Sequence, residues 1–208
     1  MAELYMARTC RWGVVRVIGG ELHLQEADAV ITPANNRLSG REGLDAQIHK
    51  AAGDELREFC RNVSIEQRKL NLPPCPVTTN VVSEPYNLVN KFKHIIHVVS
   101  PDCRRPNQDE SRRDLLPKAY HNLFDTLREM KDVSVIMAPP LSMGVFAYPH
   151  REGARLTLET LLGIMDGEDD PGVKEYNIVV KERNFINNMR TVYRESEDQL
   201  PGIDTTME

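Results

Sequence analysis

Asn35 and Asp45 flank the segment of this chain whose residue types best suit chemistry. Asn35 closes the run Asp28-Ala-Val-Ile-Thr-Pro-Ala-Asn35, which reads as a buried strand, and Asp45 opens the helix expected to follow. Between them lies Leu38-Ser-Gly-Arg-Glu-Gly43, a polar loop with two glycines. A loop that feeds a helix N-terminus points free backbone N–H groups at one spot, and the peptide dipoles favour an anion there. The chemistry implied is capture of a phosphate-bearing ligand, with an amide and a carboxylate at the mouth of its pocket. A second loop of the same character, Pro139 to Pro149, follows another apolar run and contains Ser142 and Gly144.

These loops need a scaffold, and the hydrophobic pattern supplies one. Strands are expected at Trp12–Ile18, Ala29–Thr32, Val77–Ser83, His94–Ser100, Val133–Ala138 and Asn177–Lys181. Helical spacing of Ile48, Ala52, Leu56, Phe59 and Val63 predicts one helix over Asp45–Val63. A second runs from Ser111 to Met130, with Ser111 and Asp114 placed as a capping box. A third covers Glu152–Met165, and Phe185, Ile186, Met189, Val192 and Tyr193 mark the last. Alternation of strand and helix argues for an α/β layered domain. In such sheets ligands gather at the carboxyl ends of the strands, where both polar loops begin.

At 208 residues with 40% hydrophobic and 27% charged side chains, one domain over residues 1–195 is expected, with a polar tail over 196–208. No apolar run reaches membrane-spanning length and the N-terminus lacks a signal-type apolar core, so no membrane association is expected. The expected location is cytoplasmic, with a nuclear one left open. Cys10, Cys60, Cys75 and Cys103 have no metal-type spacing and read as structural thiols of a reducing compartment. A net charge of −5 argues against a general grip on nucleic acid. His49 and His97 read as structural histidines, and His94 and His97 fall on opposite faces of one strand. Arg104, Arg105, Arg112 and Arg113 lie among Asp109, Glu110 and Asp114, which reads as a mixed salt-bridged surface.

The two loops with their flanks resemble the macro domain family. That family's first motif runs Asp-Ala-Ile-Val-Asn-Ala-Ala-Asn, then a Gly-rich loop, then Val-Asp, Ile-His and Ala-Ala-Gly. This chain matches it at Asp28, Ala29, Ile31, Ala34, Asn35, Leu38, Gly40, Gly43, Asp45, Ile48, His49, Ala51, Ala52 and Gly53. A second motif appears as Ile95-Ile-His97-Val-Val-Ser-Pro101, preceded by Tyr86-Asn-Leu88. The third appears as Pro139-Pro-Leu-Ser142-Met-Gly144-Val-Phe146-Ala-Tyr148-Pro149. The resemblance implies a three-layer α/β/α fold with a central mixed sheet flanked by helices.

It also implies a ligand, ADP-ribose, and roles for particular residues. Glu21 and Leu22 fall at the adenine end, with Glu21 where the family usually has an Asp. Ala34 and Asn35 would meet the distal ribose, and Gly40, Arg41, Glu42, Gly43 and Leu44 would wrap that ribose and one phosphate. Pro139, Ser142, Met143, Gly144, Val145 and Phe146 would cradle the diphosphate, with Phe146 packed on the ribose. Lys181 and Arg183 stand near the adenine, as in viral macro domains. Asp45 matches the acidic residue that MacroD-type hydrolases use on water, so Asn35 and Asp45 are the expected catalytic pair. Thr32 replaces an Asn of the family pattern and reads as structural, Arg41 and Glu42 interrupt the glycines, and Met143 replaces a Thr.

The implied activity is removal of mono-ADP-ribose from modified proteins or from small esters, with no cofactor and no metal required. The alternative is a non-catalytic reader of ADP-ribose or ADP-ribosylated partners, supported by Arg41 and Glu42. A weaker option, recognition of adenine-rich RNA, would show steep salt dependence. The simplest expectation is a monomer.

Overall fold

The computed structural model describes residues 3–104, 109–195 and 203–204, with side chains over 3–104 and 114–195. Its centre is a sheet of β1 (Leu4–Cys10), β2 (Gly13–Gly19), β3 (Ala29–Ala34), β4 (Asn80–Ser83), β5 (His94–Val99), β6 (Val135–Ala138), β7 (Glu175–Val180) and β8 (Ile203–Asp204). The spatial order is β4-β5-β3-β6-β7-β2-β1-β8. The inner strands β5, β3, β6, β7 and β2 run parallel, and β4, β1 and β8 pair antiparallel at the edges.

Among the described residues five α-helices cover the sheet: α1 (Gly43–Ala52), α2 (Asp54–Lys69), α3 (Asp109–Glu129), α4 (His150–Met165) and α5 (Arg183–Glu195). Period-two alternation splits β3 between two cores. Ala29 and Ile31 join Leu123, Phe124, Leu158 and Met189 of α3, α4 and α5. Val30 and Ala34 join Ile48 and Leu56 of α1 and α2. The mixed three-layer α/β/α fold expected from the sequence is therefore the fold observed.

Connections set the position of the site. From β3 the chain leaves through α1 and α2 toward β4 and β5. From the adjacent β6 it leaves through α4 toward β7, in the opposite direction. Neighbouring parallel strands whose connections diverge leave a crevice at their carboxyl ends.

Several boundaries differ from expectation for local reasons. The helix expected over Asp45–Val63 is two helices, because Gly53 adopts φ +91° between them. Asn87 Nδ2 lies 2.5 Å from where a Cβ on Gly53 would sit, so the break also lets the β4–β5 connection approach. Strand β1 was not expected. It alternates without a strong apolar core and is held by its antiparallel partner β2. Helix α4 starts at His150, one residue after Pro149, and α3 starts at Asp109. The capping role expected for Ser111 falls outside the described side chains, as do Arg105, Asp109, Glu110, Arg112 and Arg113 of the mixed surface. Of the polar tail expected over 196–208, residues 203–204 pair with β1, and the rest lies outside the described residues. Among the described residues no helix is long and apolar enough to cross a membrane.

Candidate functional site

A cleft of about 380 Å³ opens at the carboxyl ends of β2, β3, β6 and β7. It is built from the segments that leave those strands: Gly20 to Leu22, Pro33 and Asn35, Glu42 to Asp45, Pro140 to Phe146, and Val179 to Glu182. Its size lies within the range of small-molecule sites. The two polar loops face each other closely: a Cβ on Gly43, which has φ +57°, would lie 2.8 Å from Val145 Cγ2.

Both loops present backbone donors. Glu42 supplies no side-chain cap to α1, so the first N–H groups of that helix have no partner from its N-cap residue. On the opposite rim, the N–H groups of Gly144, Val145 and Phe146 meet no protein acceptor among the described residues. That second loop is held from behind. Ser142 adopts φ +64° and donates its hydroxyl to Pro101 O at 2.8 Å, and Tyr148 N donates to Ser142 O at 3.0 Å. His150 Nε2 is 2.8 Å from Met143 O. A non-glycine residue in left-handed conformation persists only where its surroundings impose it, and such residues concentrate at ligand sites.

The first loop is held by side chains. Asn35 Oδ1 accepts from Arg37 N and Ser39 N at 3.0 and 3.2 Å, and Asn35 Nδ2 donates to Ser39 Oγ at 2.6 Å. The acceptor expected to serve a ribose is thus engaged by the loop itself, and one amide hydrogen remains. Gly40 has φ +57°, and a Cβ there would sit 2.3–2.5 Å from the His49 ring. Glycine at this position is what allows the loop to lie on α1.

Asp45 lies at the floor of the cleft, 3% exposed. Thr32 Oγ1 donates to its Oδ1 at 2.7 Å. Burial drives the Asp45 pKa up to about 6, while the Thr32 hydroxyl and the Gly40 backbone N–H pull it back. His49 Nε2 is 3.7 Å from Asp45 Oδ1, which resembles an ion pair by distance. It is not one near neutral pH, because burial, then Arg57, lowers the His49 pKa to about 4.

Behind Asp45 the ligand-type atoms of His49, Cys60 and His97 lie within 4.8 Å of one another, all three buried. From sequence each of the three reads as a structural residue, and their spacing does not announce the cluster. All three are neutral at pH 7, since burial lowers His97 to about 3 and raises Cys60 to about 12. They form a neutral polar core that leaves the Asp45 carboxylate without a cation.

The open end of the cleft is different. Glu21 and Lys181 pair at 2.7 Å, with the Lys181 side chain 73% exposed. The hydrogen bond from Lys181, then its charge, lowers the Glu21 pKa. Phe185 lines this end and stacks on His150 with ring centroids 4.4 Å apart.

Of the residues named from the sequence, Glu21, Leu22, Asn35, Glu42, Gly43, Leu44, Asp45, Ser142, Gly144, Val145, Phe146 and Lys181 line the cleft. Others do not. The Met143 side chain points into the core, 1% exposed, where Gly153 leaves room for it. The missing hydroxyl at that position is therefore not missing from the cleft. Ala34 is fully buried beneath the loop, and Pro140 rather than Pro139 forms the rim. Gly40 serves the packing on His49. Arg41 and Arg183 are exposed outside the cleft, as the α1 entry and the first turn of α5 direct them to solvent. Lining residues not named in the site from sequence include Gly20, Pro33, Gln47, Val179, Val180 and Glu182. For all but Gln47, which lies in α1, their positions at or just beyond strand ends were the available signal. Arg104 ion-pairs with Asp102 and Glu42 and lies over the Phe146 ring at 5.4 Å, tying the two rims together.

The fold agrees with that of related chains. A family model described as Macro domain matches residues 31–157. This chain belongs to the macro domain family. A macro domain-containing protein of Listeria monocytogenes is 30% identical over 165 residues, covering 79% of this chain and 88% of that one. An O-acetyl-ADP-ribose deacetylase of Citrobacter rodentium is 33% identical over 147 residues, covering 71% and 77%. Among solved structures, the Oceanobacillus iheyensis macrodomain with ADP superposes with a TM-score of 0.79 at 24% identity, covering 95% of this chain and 99% of that one.

Proposed function

We propose that this cleft binds ADP-ribose and that the chain hydrolyses ADP-ribosyl esters, either small acyl esters or mono-ADP-ribosylated carboxylate side chains of proteins. The observation that carries the reading is the pair of facing N–H rims with a buried carboxylate at the floor between them. The backbone N–H groups of the α1 N-terminus and of Gly144 to Phe146 lie on facing rims of the cleft, which suits a diphosphate. Phe146 offers a ring face to the distal ribose, and Phe185 with the Glu21–Lys181 pair flanks the adenine end. The relatives named as O-acetyl-ADP-ribose deacetylases support the choice of ester.

Asp45 supplies the chemistry. A carboxylate with a pKa of about 6 is ionised enough to accept a proton near neutral pH and basic enough to take one from water. Where the acyl group sits on the anomeric oxygen, water adds at the anomeric carbon as that carbon's bond to the acyl oxygen breaks; the acyl group leaves as carboxylate and one water proton passes to Asp45. Positive charge that develops on the ribose is stabilised by the same carboxylate. Asn35 shapes the loop and offers its remaining N–H.

Calorimetric titration with ADP-ribose, beside turnover of an ADP-ribosylated acceptor and of O-acetyl-ADP-ribose, tests the reading. Tight binding with release of product supports it, and absence of binding ends it. A second reading, a reader that holds ADP-ribose without turnover, draws on the 3% exposure of Asp45 and on the Glu42–Arg104 tie across the mouth. Binding without turnover of either ester would favour it.

A further inference from the structure

We propose that Thr32, which from sequence alone reads as structural, is the residue that positions Asp45 for hydrolysis; the inference rests on the hydrolase reading above. Alternation along β3 places Thr32 on the same face as Val30 and Ala34, beneath α1. Asp45, in the first turn of α1, comes down on it. Both side chains are buried, Thr32 completely, and the 2.7 Å bond between them is the one side-chain hydrogen bond to Asp45 among the described residues. A β-branched side chain in a strand is stiff at χ1, so the hydroxyl is aimed rather than free to wander.

The surroundings give Asp45 no other strong support. On α1, His49 stands at 3.7 Å but is neutral; on α2, Cys60 is a neutral thiol and Arg57 acts on His49; on β5, His97 lies behind His49 and is neutral. Glu42, at the entry to α1, is exposed and engaged with Arg104. The ionised form of Asp45 therefore depends on two donors, the Thr32 hydroxyl and the Gly40 N–H. A buried acceptor that loses a donor bears the full desolvation penalty. Removing the hydroxyl would shift Asp45 toward its protonated form, which cannot accept a proton from water, and would release its orientation.

The test compares Thr32→Val, which keeps the shape and removes the donor, with Thr32→Ser, which keeps the donor. ADP-ribose affinity is measured by calorimetry, and ester turnover is followed from about pH 5 to pH 9. The valine variant is expected to bind within about threefold of wild type, to lose roughly 10- to 100-fold in kcat, and to move the acid limb of the kcat profile up by about one pH unit. The serine variant is expected within about threefold in kcat, with its acid limb in place. A valine variant with wild-type kcat and profile overturns the proposal. So does a serine variant that falls as far as valine, since the methyl group would then be what matters. If the wild-type protein binds ADP-ribose yet hydrolyses neither ester, the hydrolase reading fails first. The Asp45 carboxyl carbon resonance, titrated in wild type and Thr32→Val, then decides the positioning separately: an upward shift supports it and an unchanged midpoint overturns it.

Discussion

The cleft has a carboxylate at each end, and the two titrate in opposite directions. Asp45 is buried at the floor, with neutral neighbours and two hydrogen-bond donors, and its pKa rises to about 6. Glu21 sits at the open end beside an exposed lysine, and its pKa falls. The residue class is the same; the difference is solvent and the presence of a cation. A group that must exchange a proton near pH 7 needs the first environment. A group that must stay ionised and accept a hydrogen bond needs the second. The cleft therefore separates into a reacting end and a gripping end, and each can be perturbed without the other.

The largest effect is expected at the reacting end. Asp45→Asn should lower turnover by about 10²- to 10³-fold while ADP-ribose affinity changes only a few-fold, measured by initial rates beside calorimetry. Equal losses in both would mean that Asp45 grips rather than reacts, and the contrast between the ends would disappear. Next comes the loop that carries the reacting end. Gly40→Ala combines a left-handed backbone with a Cβ 2.3–2.5 Å from the His49 ring, and should cost about 2–4 kcal/mol in urea unfolding. Gly144→Ala, whose Cβ would meet nothing within 4 Å, should cost under about 1 kcal/mol. Similar losses for the two would show that the two glycines are not as differently surrounded as the space for a Cβ at each indicates.

A smaller effect follows from proton linkage. Asp45 has a higher pKa folded than its ordinary value of 3.8, so the folded state holds a proton that the unfolded chain has lost. Its contribution favours folding fully below about pH 4 and is lost as pH rises through about 6. Asp45→Asn removes that dependence. At pH 8 the variant should be more stable than wild type by roughly 3 kcal/mol at most, and the advantage should fade by pH 4. His49 and His97 work the other way: their lowered pKa values give stability above about pH 6.5 that is lost on acidification toward pH 3–4. They are common to both proteins, so the difference between the two pH profiles isolates Asp45. An Asn variant no more stable at pH 8 than at pH 4, each relative to wild type, would contradict the raised pKa.

How much of this was legible in the sequence depended on whether a feature was local. The two loops are local: strand residues, then glycines, then an amphipathic run, and the three-layer order follows from their alternation. Gly53 showed the limit. Apolar spacing continued across it, so one helix was expected where a left-handed glycine makes two. The contacts that define the reacting end join distant segments. Thr32 reaches Asp45 from β3, and His97 of β5 meets His49 and Cys60 of two helices. Nothing in the spacing of those residues announces the meeting. Met143 failed for a related reason: position in the loop was visible, but the left-handed turn at Ser142 and the room left by Gly153 sent its side chain inward.

The smallest effect belongs to the gripping end, and its value is as a control on the comparison. Lys181 and Glu21 are exposed, so their attraction is weak and screened by salt. Lys181→Ala frees Glu21 from its partner and should change ADP-ribose affinity by about two- to threefold, with a difference that shrinks between about 50 and 500 mM salt. Turnover at saturating ligand should stay at the wild-type value, and the acid limb of its pH profile should not move, because Lys181 is no part of the environment that raises Asp45. A shifted acid limb in Lys181→Ala would mean that the ends communicate through the bound ligand or through the β7 terminus. The opposite directions of the two carboxylates would then be one coupled titration instead of two local ones.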